Sequence, residues 1–306
     1  MCYLLVKFTM NDMDIRLPNP IDTDYKPSEA LRAVQLVECD MLRKLLEVCE
    51  KHQLHVWVNS GTLLGAIRHR GFIPWDDDVD VMMLREDYDK LLEIGPNEFQ
   101  WPYFFQSAYT DKDYIFPHAQ IRRSDTTAIT PITKRQKYNQ GIFLDIFVYD
   151  AVLEDEHAFA KQCKKIHYMQ KMMYWRYFWY TAQKWYTRFA AYLYHLSVSC
   201  VNHRKWYRKM ENSLRDNLKI PHAHVANVMF SNKNIKDRIF QISDFEETIW
   251  VPFENIQVPI QKGYDYMLRK MYGDDYMTPK KEPSMHGNDI IFDTKTPYGE
   301  YLLQHQ

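Results

Sequence analysis

The sequence predicts an α+β protein, with a mixed sheet as its core and a helical, aromatic-rich region appended to it. Three observations lead to this prediction. Apolar residues recur at three- and four-residue spacing over 29–53, short apolar and β-branched runs follow, and 155–218 has a helical composition. We expect a core unit with its N-terminal helix over 1–154, and a mostly helical region with a C-terminal tail over 155–306.

The first half of the chain contains the signals for alternating helices and strands. Ser28 is a predicted N-cap, and Gly95-Pro96 is a predicted helix end. In chain order, the predicted elements are a helix over 29–53, a strand over 55–59, a helix over 62–69, a strand over 78–83 and a helix over 86–94.

The rest of the chain contains fewer strand signals. The run 142-IFLDIFVY-149 is almost continuously apolar, which is typical of a strand buried on both faces. The other predicted elements are a strand over 118–123, helices within 155–218, extended pieces over 240–260, a helix over 262–273 that ends at Gly273, and a loop-rich tail over 274–306.

Composition and charge exclude several functional classes. The 306 residues are 46% hydrophobic and 26% charged, and the formal net charge is -1, so we expect no nucleic-acid partner. The five cysteines form no C-x-x-C pair and indicate reduced thiols.

The opening MCYLLVKFTM is too short for a signal peptide, and the sequence contains no run of about 18 uncharged apolar residues that would predict a spanning helix. We therefore expect a cytoplasmic protein, with the inner face of the membrane as one place of action.

Negative charge accumulates at the start of the strand over 78–83. Asp76, Asp77, Asp78 and Asp80 lie within five residues. Side chains alternate along a strand, so Asp78 and Asp80 are expected on one face, where they repel unless a cation lies between them. Oxygen ligands favour a hard cation, Mg²⁺ first and Mn²⁺ as an alternative. A solvated turn is the other interpretation of Asp76 and Asp77.

A third carboxylate, Asp145, lies inside the apolar run over 142–149. A buried charge without a partner is costly, and the cation of Asp78 and Asp80 would supply that partner. The three aspartates together predict a phosphoryl- or nucleotidyl-transfer site. The alternative is a buried carboxylate that is bonded to backbone N–H groups or to an arginine.

The turn at Ser60-Gly61 precedes a helix whose N-terminal N–H groups suit a phosphate. Gly61 allows close approach of the backbone, and Ser60 and Thr62 add hydroxyls. A glycine here is also compatible with an ordinary turn. A strand with Ser-Gly, a helix, a strand with Asp-x-Asp and a later strand with Asp is the arrangement of nucleotidyltransferase-type enzymes.

The block over 61–91, GTLLGAIRHRGFIPWDDDVDVMMLREDYDKL, resembles the LicD family, which also includes fukutin and the fukutin-related protein. Three further segments are similar to family elements: 121-IRRSDTT-127, 141-GIFLDIFVYD-150 with Val148 in place of a proline, and 263–287, where Asp275 splits the pattern. The resemblance spans about 29–290. It implies a nucleotidyltransferase-like fold, with a catalytic core over 1–154 and a tail that completes the active site.

The resemblance also implies an activity, which is transfer of a phosphorylated alcohol to a sugar hydroxyl of a cell-surface glycan or its lipid-linked precursor. The donor would be CDP-choline or another CDP-alcohol, and the cofactor Mg²⁺. In this interpretation Asp78, Asp80 and Asp145 would bind the metal. Ser60, Gly61 and Thr62 would contact the donor diphosphate, with Arg68 or Arg122 for added positive charge. Trp75 is the candidate for a choline contact, and the base would be Asp76, Asp145 or His286.

The segment over 167–201 is unusually rich in aromatic residues, with basic residues interspersed. One interpretation is an interfacial helix pair that makes peripheral contact with a membrane. A second is an aromatic box for a quaternary ammonium. The interpretation that we favour from sequence alone is a pair of packed helices with snorkelling basic residues.

Two other functions remain open from the sequence. One is a nucleotidyltransferase that acts on a small molecule and releases pyrophosphate, whereas the phosphotransferase would release CMP. The other is a non-catalytic nucleotide- or glycan-binding protein on the same fold.

Overall fold

A computed structural model of the protein describes residues 17–200, 202–229, 235–280 and 290–305. The helices are α1 (Glu29–Lys51), α2 (Ser60–Arg68), α3 (Arg85–Glu98), α4 (Glu156–Tyr177), α5 (Trp185–Val198), α6 (His203–Arg215), α7 (Tyr264–Tyr272) and α8 (Tyr298–Gln304). The strands are β1 (Trp57–Val58), β2 (Asp80–Leu84), β3 (Tyr103–Gln106), β4 (Ala119–Arg123), β5 (Thr127–Ile129), β6 (Ile142–Ala151), β7 (His224–Ala226), β8 (Ile239–Gln241), β9 (Thr248–Phe253), β10 (Ile256–Gln261) and β11 (Ile291–Asp293).

The central sheet is mixed and has the order β1-β2-β6-β4-β3, with β7 and β8 continuing from the far end of β6. Strands β2 and β6 run parallel, whereas β1 pairs antiparallel with β2 and β4 pairs antiparallel with β6. The predicted α+β class is therefore confirmed. Every residue of β6 is buried, as the continuous apolar run predicts.

Helix α1 begins where the sequence predicts. The Ser28 hydroxyl accepts a hydrogen bond from the Leu31 N–H at 3.1 Å, so Ser28 is the N-cap. The helix packs against β6 and β4. Its apolar stripe contributes Met41, Leu42 and Leu45, which are fully buried, to the main core.

The predicted end of α3 at Gly95-Pro96 is wrong, because the helix continues to Glu98. Gly95 lies against the Phe105 ring, where a Cβ would come within 2.7 Å of a ring carbon. This close packing holds the last turn, which closes with a hydrogen bond from the Phe99 N–H to the Gly95 carbonyl at 3.0 Å.

The second half of the chain packs in two ways. The hairpin β9–β10 lies beside β1, and Val251, Val258 and Leu268 join the same core as the central sheet. Helices α4 and α6 form a second buried cluster, which includes Ile166 and Met210. The division of domains at residue 154 stays a prediction.

Two general expectations concern the thiols and the membrane. The four cysteines in the described ranges, Cys39, Cys49, Cys163 and Cys200, are free. Within those ranges, no helix has both the length and the apolar character that a bilayer crossing requires.

Candidate active site

The register of the sheet places Asp80 and Asp145 side by side. Asp80 begins β2, and its Cα is the direct partner of the Asp145 Cα on the parallel strand β6. The prediction that Asp78 lies in this strand is wrong, because β2 begins at Asp80 and Asp78 is in the preceding loop. Strand alternation therefore does not bring Asp78 and Asp80 together.

The loop before β2 forms its own group of carboxylates. Asp76, Asp77 and Asp78 each offer one oxygen, and these three oxygens lie within 4.8 Å of one another. All three residues are partly exposed. A hydrogen bond connects this loop to α1: the side-chain amide of Gln35, on α1, donates to the Asp76 carbonyl at 3.0 Å.

The electrostatics of Asp80 reflect this crowding. Burial raises the pKa of Asp80 well above its usual range, and the neighbouring Asp78, Asp145 and Asp76 raise it further. A hydrogen bond with the Ser60 hydroxyl acts in the opposite direction. The loop and the two strands therefore concentrate negative charge at one end of the sheet.

The first turn of α2 holds the start of β2. The helix begins at Ser60, two residues earlier than predicted, and Ser60 has a φ of 47°, in the left-handed region. Such a backbone costs about 1–3 kcal/mol and is found most often at functional sites. The Thr62 Oγ1 accepts a hydrogen bond from the Asp80 N–H at 2.9 Å. Ser60 and Thr62 thus both contact the residue that begins β2.

Gly61 provides the room that Asp76 occupies. A Cβ at Gly61 would lie 2.6 Å from the Asp76 Oδ2. The Asp76 carboxylate therefore lies against the N-terminal turn of α2, where negative charge is favoured by the helix dipole. Contact of Gly61 with a donor phosphate stays a prediction.

Asp145 contacts two residues that the sequence analysis missed. The Gln120 side-chain amide donates a hydrogen bond to the Asp145 Oδ1, and the His118 Nε2 lies 3.2 Å from the same oxygen. Both residues belong to the strand that was predicted over 118–123, but β4 begins at Ala119, so His118 immediately precedes it. The register of β4 with β6 places Gln120 opposite Asp145.

Glu38 on α1 is a further residue that the sequence analysis missed. It is 1% exposed, and its Oε2 has no hydrogen-bond partner among the described residues. Burial raises its pKa well above the usual range, and Asp78, Asp77 and Asp76 add to the shift. Glu38 lies one helical turn after Gln35, which contacts the Asp76 carbonyl. The available sequence signal was an acidic residue within the apolar stripe of α1.

The two arginines expected at the donor have other contacts. Arg68 is buried and donates to the Tyr276 carbonyl at 2.8 Å, so it ties α2 to the segment after α7. Arg122 is buried as well, donates to the Gln106 Oε1 and the Gly141 carbonyl, both at 2.8 Å, and burial lowers its pKa. Roles for Arg68 and Arg122 at a donor diphosphate stay predictions.

The remaining predicted residues are Trp75 and His286. Trp75 is partly buried and meets the Tyr25 ring edge-on, with the ring centroids 5.6 Å apart. A choline contact at Trp75 stays a prediction. His286 lies outside the described residues.

The donor set fits a hard divalent cation. The candidate ligands are carboxylate oxygens, which suit Mg²⁺ and Mn²⁺. The Glu38 Oε2 is a buried acceptor without a partner in the described ranges, which is the kind of atom that a cation would satisfy. The structure thus adds Glu38, Asp76 and Asp77 to the predicted Asp78, Asp80 and Asp145 as candidate ligands.

Comparisons with known proteins place this site in a family context. Residues 53–172 match the family described as LicD/FKTN/FKRP, nucleotidyltransferase domain. The chain is 26% identical to the lipopolysaccharide cholinephosphotransferase LicD of Haemophilus influenzae, over 82% of this chain and 93% of that protein. It is 38% identical to the human ribitol 5-phosphate transferase FKRP, over 33% of this chain and 24% of that protein. It is also 34% identical to the uncharacterized protein RP689 of Rickettsia prowazekii, over 36% of this chain and 42% of that protein.

Proposed function

From the match of residues 53–172 to the LicD family domain, we propose that the protein is a divalent-cation-dependent phosphotransferase. It would move a phosphorylated alcohol from a CDP-alcohol to a sugar hydroxyl of a glycan or of its lipid-linked precursor. The transferred group that we favour is phosphocholine, because the relative that aligns over most of this chain is named a cholinephosphotransferase.

The observation that carries the proposal is the concentration of carboxylates around the first residue of β2. Asp80 and Asp145 are adjacent in register, and the loop carboxylates of Asp76 and Asp78 are close enough to raise the pKa of Asp80. A group of like charges is unfavourable in the folded chain by itself. Its presence supports a role in binding a cation and, with it, a diphosphate.

We assign the cation to Asp76, Asp78, Asp80 and Asp145, with Glu38 as an additional ligand. When bound, a divalent cation would offset negative charge on the donor diphosphate and on the departing CMP. The N-terminal turn of α2, at Ser60 and Gly61, lies next to these carboxylates and offers N–H groups for the diphosphate.

The proposed step is an in-line displacement. The oxygen of the acceptor hydroxyl forms a bond with the distal phosphorus, and the bond from that phosphorus to the bridging oxygen breaks. CMP leaves with the bonding electrons, and the hydroxyl proton passes to a base. Asp76, Asp145 and His286 remain the candidate bases. His118, at 3.2 Å from the Asp145 Oδ1, is suited to orienting that carboxylate.

The test is CMP release from a panel of CDP-alcohols that includes CDP-choline and CDP-ribitol, in the presence of Mg²⁺. We expect release from one donor, through slow hydrolysis when no acceptor is added. Asp80→Asn should reduce that release by about a hundredfold or more, the scale seen when a key electrostatic group is removed from an active site. The matched control is Asp216→Asn, which removes an exposed aspartate that is paired with Lys219.

Other results would support the alternative functions. Pyrophosphate release from a nucleoside triphosphate would identify a nucleotidyltransferase. Absence of CMP release from every donor, together with absence of Mg²⁺-dependent nucleotide binding, would contradict an enzymatic role and favour a binding protein. Nucleotide binding without release would direct the next assay to glycan acceptors.

A further inference from the structure

Helix α5 presents a continuous apolar face to the solvent. Five side chains on this face, which we call the α5 stripe, are strongly exposed: Trp185 (78%), Phe189 (58%), Tyr192 (38%), Leu193 (50%) and Leu196 (50%). Their spacing of three and four residues places them on one side of the helix. Exposed apolar patches of this kind usually mark an interaction surface.

The opposite side of α5 explains why this stripe faces outward. Ala191 is the one buried residue of the helix in the described structure. The helix is anchored to α4, where the Arg176 Nη2 donates to the Ser199 carbonyl at 2.9 Å. It is also anchored to the turn after α4, where the Trp179 ring lies 4.8 Å from the ring of Tyr192, the least exposed member of the stripe. The other four side chains of the stripe remain at least half exposed.

The segment that contains the stripe carries charge of a single sign. Residues 157–210 contain eleven lysines and arginines and no aspartate or glutamate, although the whole chain has 39 basic and 40 acidic residues. Lys171, Lys184 and Arg188 are exposed and form no ion pair with any described residue. On a helical projection, Arg188 lies at the edge of the stripe. Arg188 thus places positive charge at the border of the apolar face, and no carboxylate in the described ranges pairs with it.

We propose that the α5 stripe docks on the surface of a bilayer that contains anionic lipids. A helix of 14 residues is about 21 Å long, too short to span the hydrocarbon layer, and it carries Arg188. It can lie in the plane of the interface, with the stripe among the acyl chains and the basic residues at the headgroups. Tyrosine and tryptophan at Tyr192 and Trp185 suit this boundary.

Charge and chemistry favour the bilayer over two other occupants. A symmetric contact between two copies through α5 would bring two acid-free segments together, so the basic residues of 157–210 would repel across the interface. A nucleic acid would use aromatic rings for stacking, but it offers no apolar partner for Leu193 and Leu196. A lipid surface accommodates both the aliphatic side chains and the basic border.

The structure also connects the stripe to the candidate active site. Phe178, between α4 and α5, lies 6.0 Å from the Phe116 ring, and Phe116 lies 6.0 Å from the His118 ring, measured between centroids. His118 contacts Asp145. A docked stripe would therefore hold the site near the membrane surface, which, if the proposed function holds, would favour a lipid-linked acceptor.

The test is flotation of the full chain with vesicles of phosphatidylcholine alone and with about 30% phosphatidylglycerol. We expect binding to the anionic vesicles, and at least about tenfold weaker binding for the double variant Phe189→Ser/Leu193→Ser, which removes two side chains that the bilayer would bury. Leu303→Ser is the control, because it removes a leucine that is even more exposed (73%) from another helix, α8. Its binding should equal that of the wild type.

A second variant protects the test against a folding defect. Lys184→Glu/Arg188→Glu should weaken binding to the anionic vesicles about tenfold or more. High salt should restore part of this binding, because it screens the repulsion between the introduced glutamates and the anionic lipids. The proposal is overturned if the wild type does not float with anionic vesicles, or if both double variants float as well as the wild type. It is also overturned if Phe189→Ser/Leu193→Ser converts a dimer to a monomer without changing flotation. The vesicles carry no glycan and CMP is not measured, so this result is independent of the proposed activity.

Discussion

Asp145 and Asp150 lie on the same strand, β6, and both are buried, with exposures of 6% and 0%. Arg85 clamps Asp150 through two hydrogen bonds, from Nε to Oδ1 at 2.6 Å and from Nη2 to Oδ2 at 3.1 Å. Asp145 instead has Asp80 as its neighbour on the adjacent strand. At the Asp150 end of β6 the carboxylate is therefore paired with an arginine of the chain, whereas at the Asp145 end a further aspartate lies on the adjacent strand.

The difference separates a structural carboxylate from a candidate ligand. Burial works against the charge of Arg85, but Asp150, Glu211 and Asp89 raise its pKa, so the ion pair is complete without any bound group. At the other end, burial and the carboxylates of Asp78 and Asp145 raise the pKa of Asp80. Like charges that lie close together repel, and a cation at that end would offset the repulsion, which is the proposal that the predictions below test.

The largest expected effect on stability is at the paired end. Asp150→Asn leaves Arg85 buried without its bidentate partner, and we expect the free energy of unfolding to fall by about 3 kcal/mol. Glu211 and Asp89, at 3.5 Å and 3.4 Å from the Arg85 Nη1, limit the loss. Urea denaturation at neutral pH without divalent cations measures it.

Asp145→Asn is the matched control, since it makes the same change on the same strand. It should change the free energy of unfolding by less than about 1 kcal/mol, because it leaves no buried guanidinium behind, and an asparagine oxygen can still accept the hydrogen bond from the Gln120 amide. Equal losses for the two variants would contradict the distinction between the two ends of β6.

A smaller effect is expected from Glu38, the buried carboxylate of α1. Glu38→Gln keeps the shape of the side chain and removes the charge, so cation affinity should fall by about tenfold. Titration of Mn²⁺, followed by the loss of its free electron paramagnetic resonance signal, measures the affinity directly and does not depend on turnover. Glu47→Gln, an exposed change on the same helix, is the control. Unchanged affinity in Glu38→Gln would exclude Glu38 as a ligand.

Much of this arrangement could be predicted from the sequence, because it depends on local patterns. The Ser28 cap, the helix over 29–53 and the buried strand that contains Asp145 all follow from spacing and composition. The proximity of Asp80 to Asp145 was also predicted, since both lie on strands of one sheet. The family resemblance was confirmed by the match over residues 53–172.

The rest could not be predicted, because it depends on register and on distant partners. In 142-IFLDIFVYD-150 the two aspartates have similar apolar neighbours, and the residue that distinguishes them, Arg85, lies 65 positions from Asp150. Strand β2 begins two residues later than predicted, which removes Asp78 from the strand. Glu38 was overlooked because its neighbours in the stripe are apolar and its acidic partners belong to another segment.

A pH dependence of stability tests the acidic end of β6. Burial, with Asp78 and Asp145, raises the pKa of Asp80 in the folded chain above that in the unfolded chain. The folded chain therefore binds more protons, so the free energy of unfolding falls as the pH rises from the unfolded pKa, about 3.9, through the folded one. Asp80→Asn removes that loss. Without divalent cations the variant should be more stable than the wild type at pH 8, by about 1 kcal/mol, the order of the screened repulsion between neighbouring unit charges.

This advantage of Asp80→Asn should shrink toward pH 5, because the raised pKa leaves more of the wild-type carboxyl protonated there than at pH 8. It should reverse when Mg²⁺ is added, because a cation that binds the folded wild type stabilises it. Thermal or urea unfolding in a chelator and in Mg²⁺, at the two pH values, provides all four measurements. If Asp80→Asn were less stable than the wild type in the chelator at pH 8, Asp80 would have its counter-charge within the chain, as Asp150 has in Arg85. The acidic end of β6 would then be a second structural ion pair, and the case for a cation there would fail.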